Sequence, residues 1–230
     1  MYQLNEFTSR TELDEQLASH IGSILSNAVE ANGRASIAVS GGSTPKGLFE
    51  KLANMDLAWD KITVTLADER WVTFESSDSN TRLVHENLLQ ANAKAATFFH
   101  IKQGEELTAD VLASLNVQAR AQVLPFDVLI LGMGEDGHTA SLFPCSDEIK
   151  QGFAADAEPL LSVQPTTAPH QRISFSFAHL ATAKNTILHI CGESKKAVLD
   201  KALASEDHFE MPIRAFLNGE ATNTDIFWAE

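Results

Sequence analysis

Residues 126–143 read FDVLILGMGEDGHTASLF, and their order sets the class of architecture. The run FDVLIL is short, apolar and bounded by glycine, the pattern of a strand buried inside a sheet. Gly132, Gly134 and Gly137 break that run, and a short helix is expected behind them. Strand, glycine-rich turn and helix in succession are the repeating unit of parallel α/β sheets.

The unit recurs on both sides of this stretch. Upstream, ASIAVS at 35–40 is apolar and β-branched and runs into SGGSTP at 40–45, then KGLFEKLA. Thr44 reads as the N-cap of that helix and Pro45 as its first residue. KITVTLADERW at 61–71 reads as one strand bearing Asp68, Glu69 and Arg70 at its carboxyl end, with a polar loop to Asn80. FFHI (98–101), RISFSFAHL (172–180), NTILHICG (185–192) and TDIFWAE (224–230) read as further strands. Leu13, Leu17, Ile21, Ile24, Leu25 and Ala28 stand at helical spacing and predict a helix over 12–29. Helices are likewise predicted over 80–90, 108–124 and 193–204. The expectation is an α/β fold, a mainly parallel sheet with helices on both faces, in one domain covering 1–230. Residues 144–169 are the least regular and read as a lobe or lid.

Composition narrows the function. The net charge of -14 is spread through amphipathic stretches, and no cluster of Lys and Arg reverses it, so nucleic acid and membrane surfaces are unfavourable partners. A small anion stays compatible where N–H, Arg and Lys donors concentrate around it. Cys145 and Cys191 form no disulfide framework and have no metal-like spacing. The N-terminus lacks a secretory pattern, and no apolar run approaches the roughly 20 residues of a membrane helix. Together these features point to the cytoplasm.

Ligands of parallel sheets bind beyond the carboxyl ends of the strands, so the strand ends hold the candidates. Gly41, Gly42, Ser43 and Thr44 combine close backbone approach, hydroxyl donors and the N–H groups of a helix start, as a phosphate cradle requires. An ordinary strand-to-helix turn has the same make-up, and the segment is no Walker A loop, because Lys46 is followed by Gly47. Asp68 offers a carboxylate for a proton or a sugar hydroxyl, and Arg70 offers paired donors for phosphate or an oxyanion; a surface salt bridge is the alternative. GMGEDGH at 132–138 matches G-x-G-x-x-G, but the acid at ribose distance, Asp156, lies in a segment without strand character, which disfavours a dinucleotide. The same turn places His138 at the mouth of a strand, two residues from Asp136, a carboxylate able to fix its tautomer. Lys195, following Gly192 at a helix start, can add a point charge, although read alone it is a solvated lysine.

SGGSTP from Ser40, DERWV from Asp68 with Ser79 and Asn80, GMGEDGHTASLFP from Gly132, PHQRISFSF from Pro169 and GESKKAVL from Gly192 together resemble the 6-phosphogluconolactonases, relatives of the glucosamine-6-phosphate deaminases. The motifs span most of the chain in a fixed order. The deaminases share the glycine–histidine core but continue to an Asn-Glu-Pro stretch; here Ser141, Leu142, Phe143 and Pro144 follow, so lactone hydrolysis is favoured. Thr73 stands where the lactonases commonly place proline, which bears only on the stiffness of that loop.

The resemblance implies a Rossmann-like sheet, no metal or organic cofactor, and a small phosphorylated sugar lactone as substrate. For such a substrate, His138 is expected to activate water, with Asp136 orienting the imidazole and Arg70 or backbone N–H groups facing the oxyanion. Gly41, Gly42, Ser43, Thr44 and Lys195, with Arg70, are expected around the phosphate, Asp68 on the sugar, and Arg172 shaping the crevice. An amino-sugar phosphate deaminase, a sugar-phosphate isomerase and a non-catalytic sugar-phosphate sensor are the competing expectations.

Overall fold

The apolar runs at 35–39 and 128–131 are buried at every residue. Successive side chains of a strand point to opposite faces, so both faces of the sheet that holds these runs are covered. The computed structural model describes residues 2–218 and 222–230. In chain order they form β1 (Tyr2–Phe7), α1 (Arg10–Asn32), β2 (Ala35–Val39), α2 (Lys46–Ala53), β3 (Ile62–Leu66), β4 (Asp68–Arg70), α3 (Asn80–Asn87), β5 (Thr97–Phe98), α4 (Ala109–Gln122) and β6 (Val128–Leu131). Then come α5 (Ile149–Gly152), β7 (Leu160–Val163), β8 (Arg172–Phe175), α6 (Phe177–Leu180), β9 (Thr186–Cys191), α7 (Glu193–Leu203), α8 (Arg214–Leu217) and β10 (Thr224–Ala229).

Seven strands make one all-parallel sheet in the order β1-β10-β9-β6-β2-β3-β5, flanked by helices. The long helix α1 buries Leu13, Leu17, Ile21 and Leu25, a stripe at i, i+4, i+8 and i+12. Its start is fixed by Ser9, whose side chain accepts from Glu12 N–H, and its end by Gly33 in the left-handed region, whose N–H reaches Val29 O at 2.8 Å. Truncating any one of these four side chains to alanine would cost about 2–5 kcal/mol, because the cavity left behind cannot close fully.

The structure departs from the sequence expectations in several places. Thr44 does not cap α2: Pro45 occupies the N-cap with a helical backbone, and the first closing bond runs from Phe49 N–H to Pro45 O at 2.8 Å. The segment 61–71 is two strands. β3 ends at Leu66, Ala67 N–H donates to Val39 O, and β4 turns away to pair antiparallel with β8 in a three-stranded sheet ordered β4-β8-β7. The divergence comes from Glu69, whose carboxylate is drawn to the N–H groups that begin α3.

No helix follows Gly137 directly; Thr139 and Leu142 form an isolated bridge instead. Ser141 N–H and hydroxyl are taken by Ser174 Oγ and Asp68, which leaves no helical bonding for the segment. In RISFSFAHL only Arg172–Phe175 is strand, and α6 follows it. The FFHI strand moves to Thr97–Phe98, α3 stops at Asn87, and α4 runs from a Thr108 cap to Gln122. β1 and β7 were not anticipated. β1 is a polar edge strand, and β7 lies within the irregular 144–169 stretch, where Leu161 and Val163 join Phe143 in a small apolar cluster of their own. Among the described residues no helix is long and apolar enough to cross a membrane.

Candidate functional site

β2 and β6 are neighbours in the middle of the sheet, but the chain leaves β2 for β3 on one side and β6 for β9 on the other. Their outgoing turns diverge, and a crevice opens at the carboxyl ends where they part. A cleft of ≈ 290 Å³ lies there, with both glycine turns on its walls.

The first wall is SGGSTP. Ser40 Oγ donates to Ile130 O at 2.7 Å and ties the end of β2 to β6. Gly41 is pressed against the Asn80 side chain, which a Cβ at that position would strike. Asn80 in turn donates from Nδ2 to Asp68 O at 3.1 Å, so the first turn and the β4 segment are held together.

The second wall comes from β4 and β8. Asp68 is buried and accepts from Ser141 Oγ at 2.5 Å, with Arg172 Nη1 at 3.8 Å. Glu69 faces away from the cleft: it accepts N–H bonds from Arg70, Asn80 and Thr81 at 2.7, 2.8 and 2.6 Å. Burial pushes its carboxyl above the ordinary value, and those N–H donors offset the rise only in part. Arg70 Nη1 donates to Asp78 O at 2.7 Å, which anchors the loop leading to α3. Nε of Arg70 and Nε of Arg172 are buried without a partner. Arg70 and Arg172 both line the cleft, and two guanidinium groups on one wall match the needs of an anion. Burial holds the Arg172 guanidinium below its ordinary value, helped by the nearby charge of Arg70 and opposed by Asp68.

The third wall is GMGEDGH. His138 Nδ1 lies 2.5 Å from Asp136 Oδ1, which leaves Nε2 as the nitrogen available to a ligand. Burial raises the Asp136 carboxyl, but the hydrogen bond and charge of His138 outweigh it and hold the group below the usual carboxylate range. The imidazole stacks on Phe143, 4.1 Å between centroids at 26°. The Arg172 guanidinium carbon is 5.1 Å from the centroid of the same ring, so one aromatic side chain positions both groups. Lys195, in the first turn of α7, reaches the cleft and pairs with Glu135 Oε1 at 2.6 Å.

Gly41, Gly42, Ser43, Thr44, Asp68, Arg70, His138, Arg172 and Lys195 all line this one cleft, and Asp136 stands directly behind His138. The His138 side chain is 30% exposed, open enough to meet a ligand and not packed into the interior. The sequence sets Ser141 and Phe143 apart only as the point of divergence from the deaminases and gives neither a place in the site, because neither is ionisable. In sequence Asn80 only closes a loop and His189 is one residue of a buried strand, yet both line the cleft. Among the described residues no group of three or more His, Cys, Asp or Glu is placed to hold a metal ion.

A parallel α/β sheet whose switch-point crevice joins a glycine-rich turn, two guanidinium groups and a carboxylate-backed imidazole belongs to the class of α/β proteins built to suit a small anionic ligand. The chain belongs to the family of glucosamine-6-phosphate isomerases/6-phosphogluconolactonase, whose sequence model matches residues 8–228. It is 43% identical over 225 residues to a 6-phosphogluconolactonase of Rhizobium meliloti (strain 1021), covering 97% of both chains. A 6-phosphogluconolactonase of Pseudomonas putida is 42% identical, over 98% of this chain and 92% of the relative. The crystal structure of a 6-phosphogluconolactonase from Shewanella baltica OS155 superposes with a TM-score of 0.96 at 41% identity, covering 100% of this chain and 98% of the other.

Proposed function

We propose that this chain, acting as one domain, hydrolyses 6-phospho-D-glucono-1,5-lactone to 6-phosphogluconate, the second step of the oxidative pentose phosphate pathway. The observation that carries the reading is the His138–Asp136 pair, whose imidazole shares a cleft with the Ser43 turn. Full-length relatives that bear the lactonase name support it, as does Ser141 hydrogen-bonded to Asp68 in the segment where the deaminases continue to their glutamate.

A lactone carbonyl is already electrophilic, so the enzyme has to hold the ring, activate water and stabilise a tetrahedral oxyanion. The 6-phosphate rests on Gly41 to Thr44 with Lys195 beside it, and the guanidinium groups of Arg70 and Arg172 that line the cleft serve the phosphate or the oxyanion. His138 Nε2 takes one proton from water as its oxygen bonds to C1. The oxyanion then collapses, the bond from C1 to the ring oxygen breaks, and Nε2 returns the proton to that oxygen. Asp136 holds Nδ1 throughout, and the new carboxyl group ionises into solvent. Two unpaired thiols, Cys145 and Cys191, suit a reducing cytoplasm as the site of this activity.

Acid release from fresh lactone, corrected for spontaneous hydrolysis, tests the reading. His138→Ala should lower kcat by about 10² to 10⁴-fold while product binding survives. Unchanged turnover in that variant removes the imidazole from the mechanism, and ammonia or ketose release from amino-sugar or aldose phosphates would point to the other branch of the family.

A further inference from the structure

Beneath the anion turn lies a carboxylate that the hydrolysis does not use. Asp14, on α1, is 9% exposed and sits against the first turn of α2, where a Cβ on Gly47 would collide with its Oδ2. Its Oδ1 is 3.6 Å from Nε2 of His189 on β9, beyond a good hydrogen bond. His189 is itself buried on the cleft floor, and its Nδ1 has no partner.

The titratable and charged groups that face Asp14 are Arg10 on its own helix and Lys51 and Glu50 on α2, with His189 and Cys191 on β9. None of them neutralises it at close range. Lys51 is held by Glu15 at 2.7 Å. Burial pushes the Asp14 carboxyl up to about 6 against the pull of Lys51 and Arg10, and burial lowers His189 to about 4, so that imidazole is uncharged at neutral pH.

A negative charge in this position counteracts the positive end of the helix whose N–H groups receive the phosphate. We infer that Asp14 is a proton-coupled element of the cradle: its carboxylate, ionised before an anion binds, takes up a proton from solvent as the substrate's phosphate dianion settles on the Ser43–Thr44 turn. The inference rests on the phosphate placement proposed above. Two negative charges added at the start of the helix that Asp14 abuts, in a dielectric between those of protein and water, move such a titration upward by about one pH unit. Proton uptake and affinity are then linked by necessity, and ionised Asp14 weakens phosphate binding about tenfold.

Calorimetry with 6-phosphogluconate, in buffers of different protonation enthalpy, reads the coupling. At pH 6.5 the parent protein should take up about half a proton more per ligand than Asp14→Asn. The parent's Kd should match that of Asp14→Asn near pH 5 and be about tenfold weaker at pH 8; Asp14→Ser is a second variant that also removes the charge. Equal uptake and equal pH dependence in the parent and both variants would overturn the inference while leaving the sugar-phosphate reading intact. No binding of 6-phosphogluconate by the parent would overturn the phosphate placement and this inference with it.

Discussion

Replacing Gly134 by alanine asks whether the glycine spacing of 132–137 exists for the imidazole. Gly134 is not among the residues with positive φ, so the backbone accepts alanine there and the obstacle is steric. A Cβ on Gly134 would overlap Nδ1 and Cε1 of His138 and stand 2.8 Å from Asp136 Oδ1, whereas ordinary contact begins at 3.4 Å. The imidazole must therefore retreat by about 1 Å, and a misplacement of that size costs about 10²-fold in rate. Its stacking on Phe143 limits where it can go. In a steady-state assay of lactone hydrolysis, kcat should fall about 10²-fold with KM little changed, because the Gly41–Thr44 turn proposed to hold the phosphate is carried by a different strand. A folded Gly134→Ala protein whose kcat stays within about threefold of the parent would refute the argument that this glycine clears space for the ring.

Phe143→Leu keeps apolar bulk but removes the aromatic faces that hold His138 and Arg172. Its kcat should drop about tenfold, and Phe143→Tyr, which keeps the aromatic faces, should retain more of it than leucine does. Lys195→Ala should raise KM about tenfold with kcat nearly unchanged, since a contact to phosphate far from C1 contributes equally to ground and transition states. A fall in kcat alone would show that the lysine acts at the reacting carbon. Asp14 predicts a pH effect on stability. Its carboxyl titrates at about 6 in the folded chain against an ordinary 3.8, so between those values the folded chain holds more protons and stability falls as pH rises. Asp14→Asn should therefore match the parent near pH 4 and exceed it by about 2–3 kcal/mol above pH 6.5, measured by denaturant unfolding at both pH values.

Much of the architecture was legible because it is written in local signals. The runs 35–39 and 128–131 announce buried parallel strands through length and apolar content alone, and the glycines after each mark turns where a ligand can approach. His138 with Asp136, and Gly41 through Thr44, stood out as site candidates because they lie within a few residues of one another, and the fold brings both groups to one cleft. The strand ends could be expected to converge, since a parallel sheet points all of its carboxyl ends one way.

Other features depend on partners far apart in the chain, and no local pattern carries those. The split of 61–71 into β3 and β4 follows from Glu69 meeting the start of α3. The absence of a helix after Gly137 follows from Ser141 bonding to Asp68 and Ser174. Asp14 and His189 look like ordinary helix and strand residues until the fold buries them together under the anion turn. Periodicity and turn chemistry report the backbone's nearest neighbours, whereas desolvation and the satisfaction of buried polar groups depend on everything packed around them. Residue order thus specified the sheet and the place of its crevice, and packing decided which side chains meet there and which polar groups they bond.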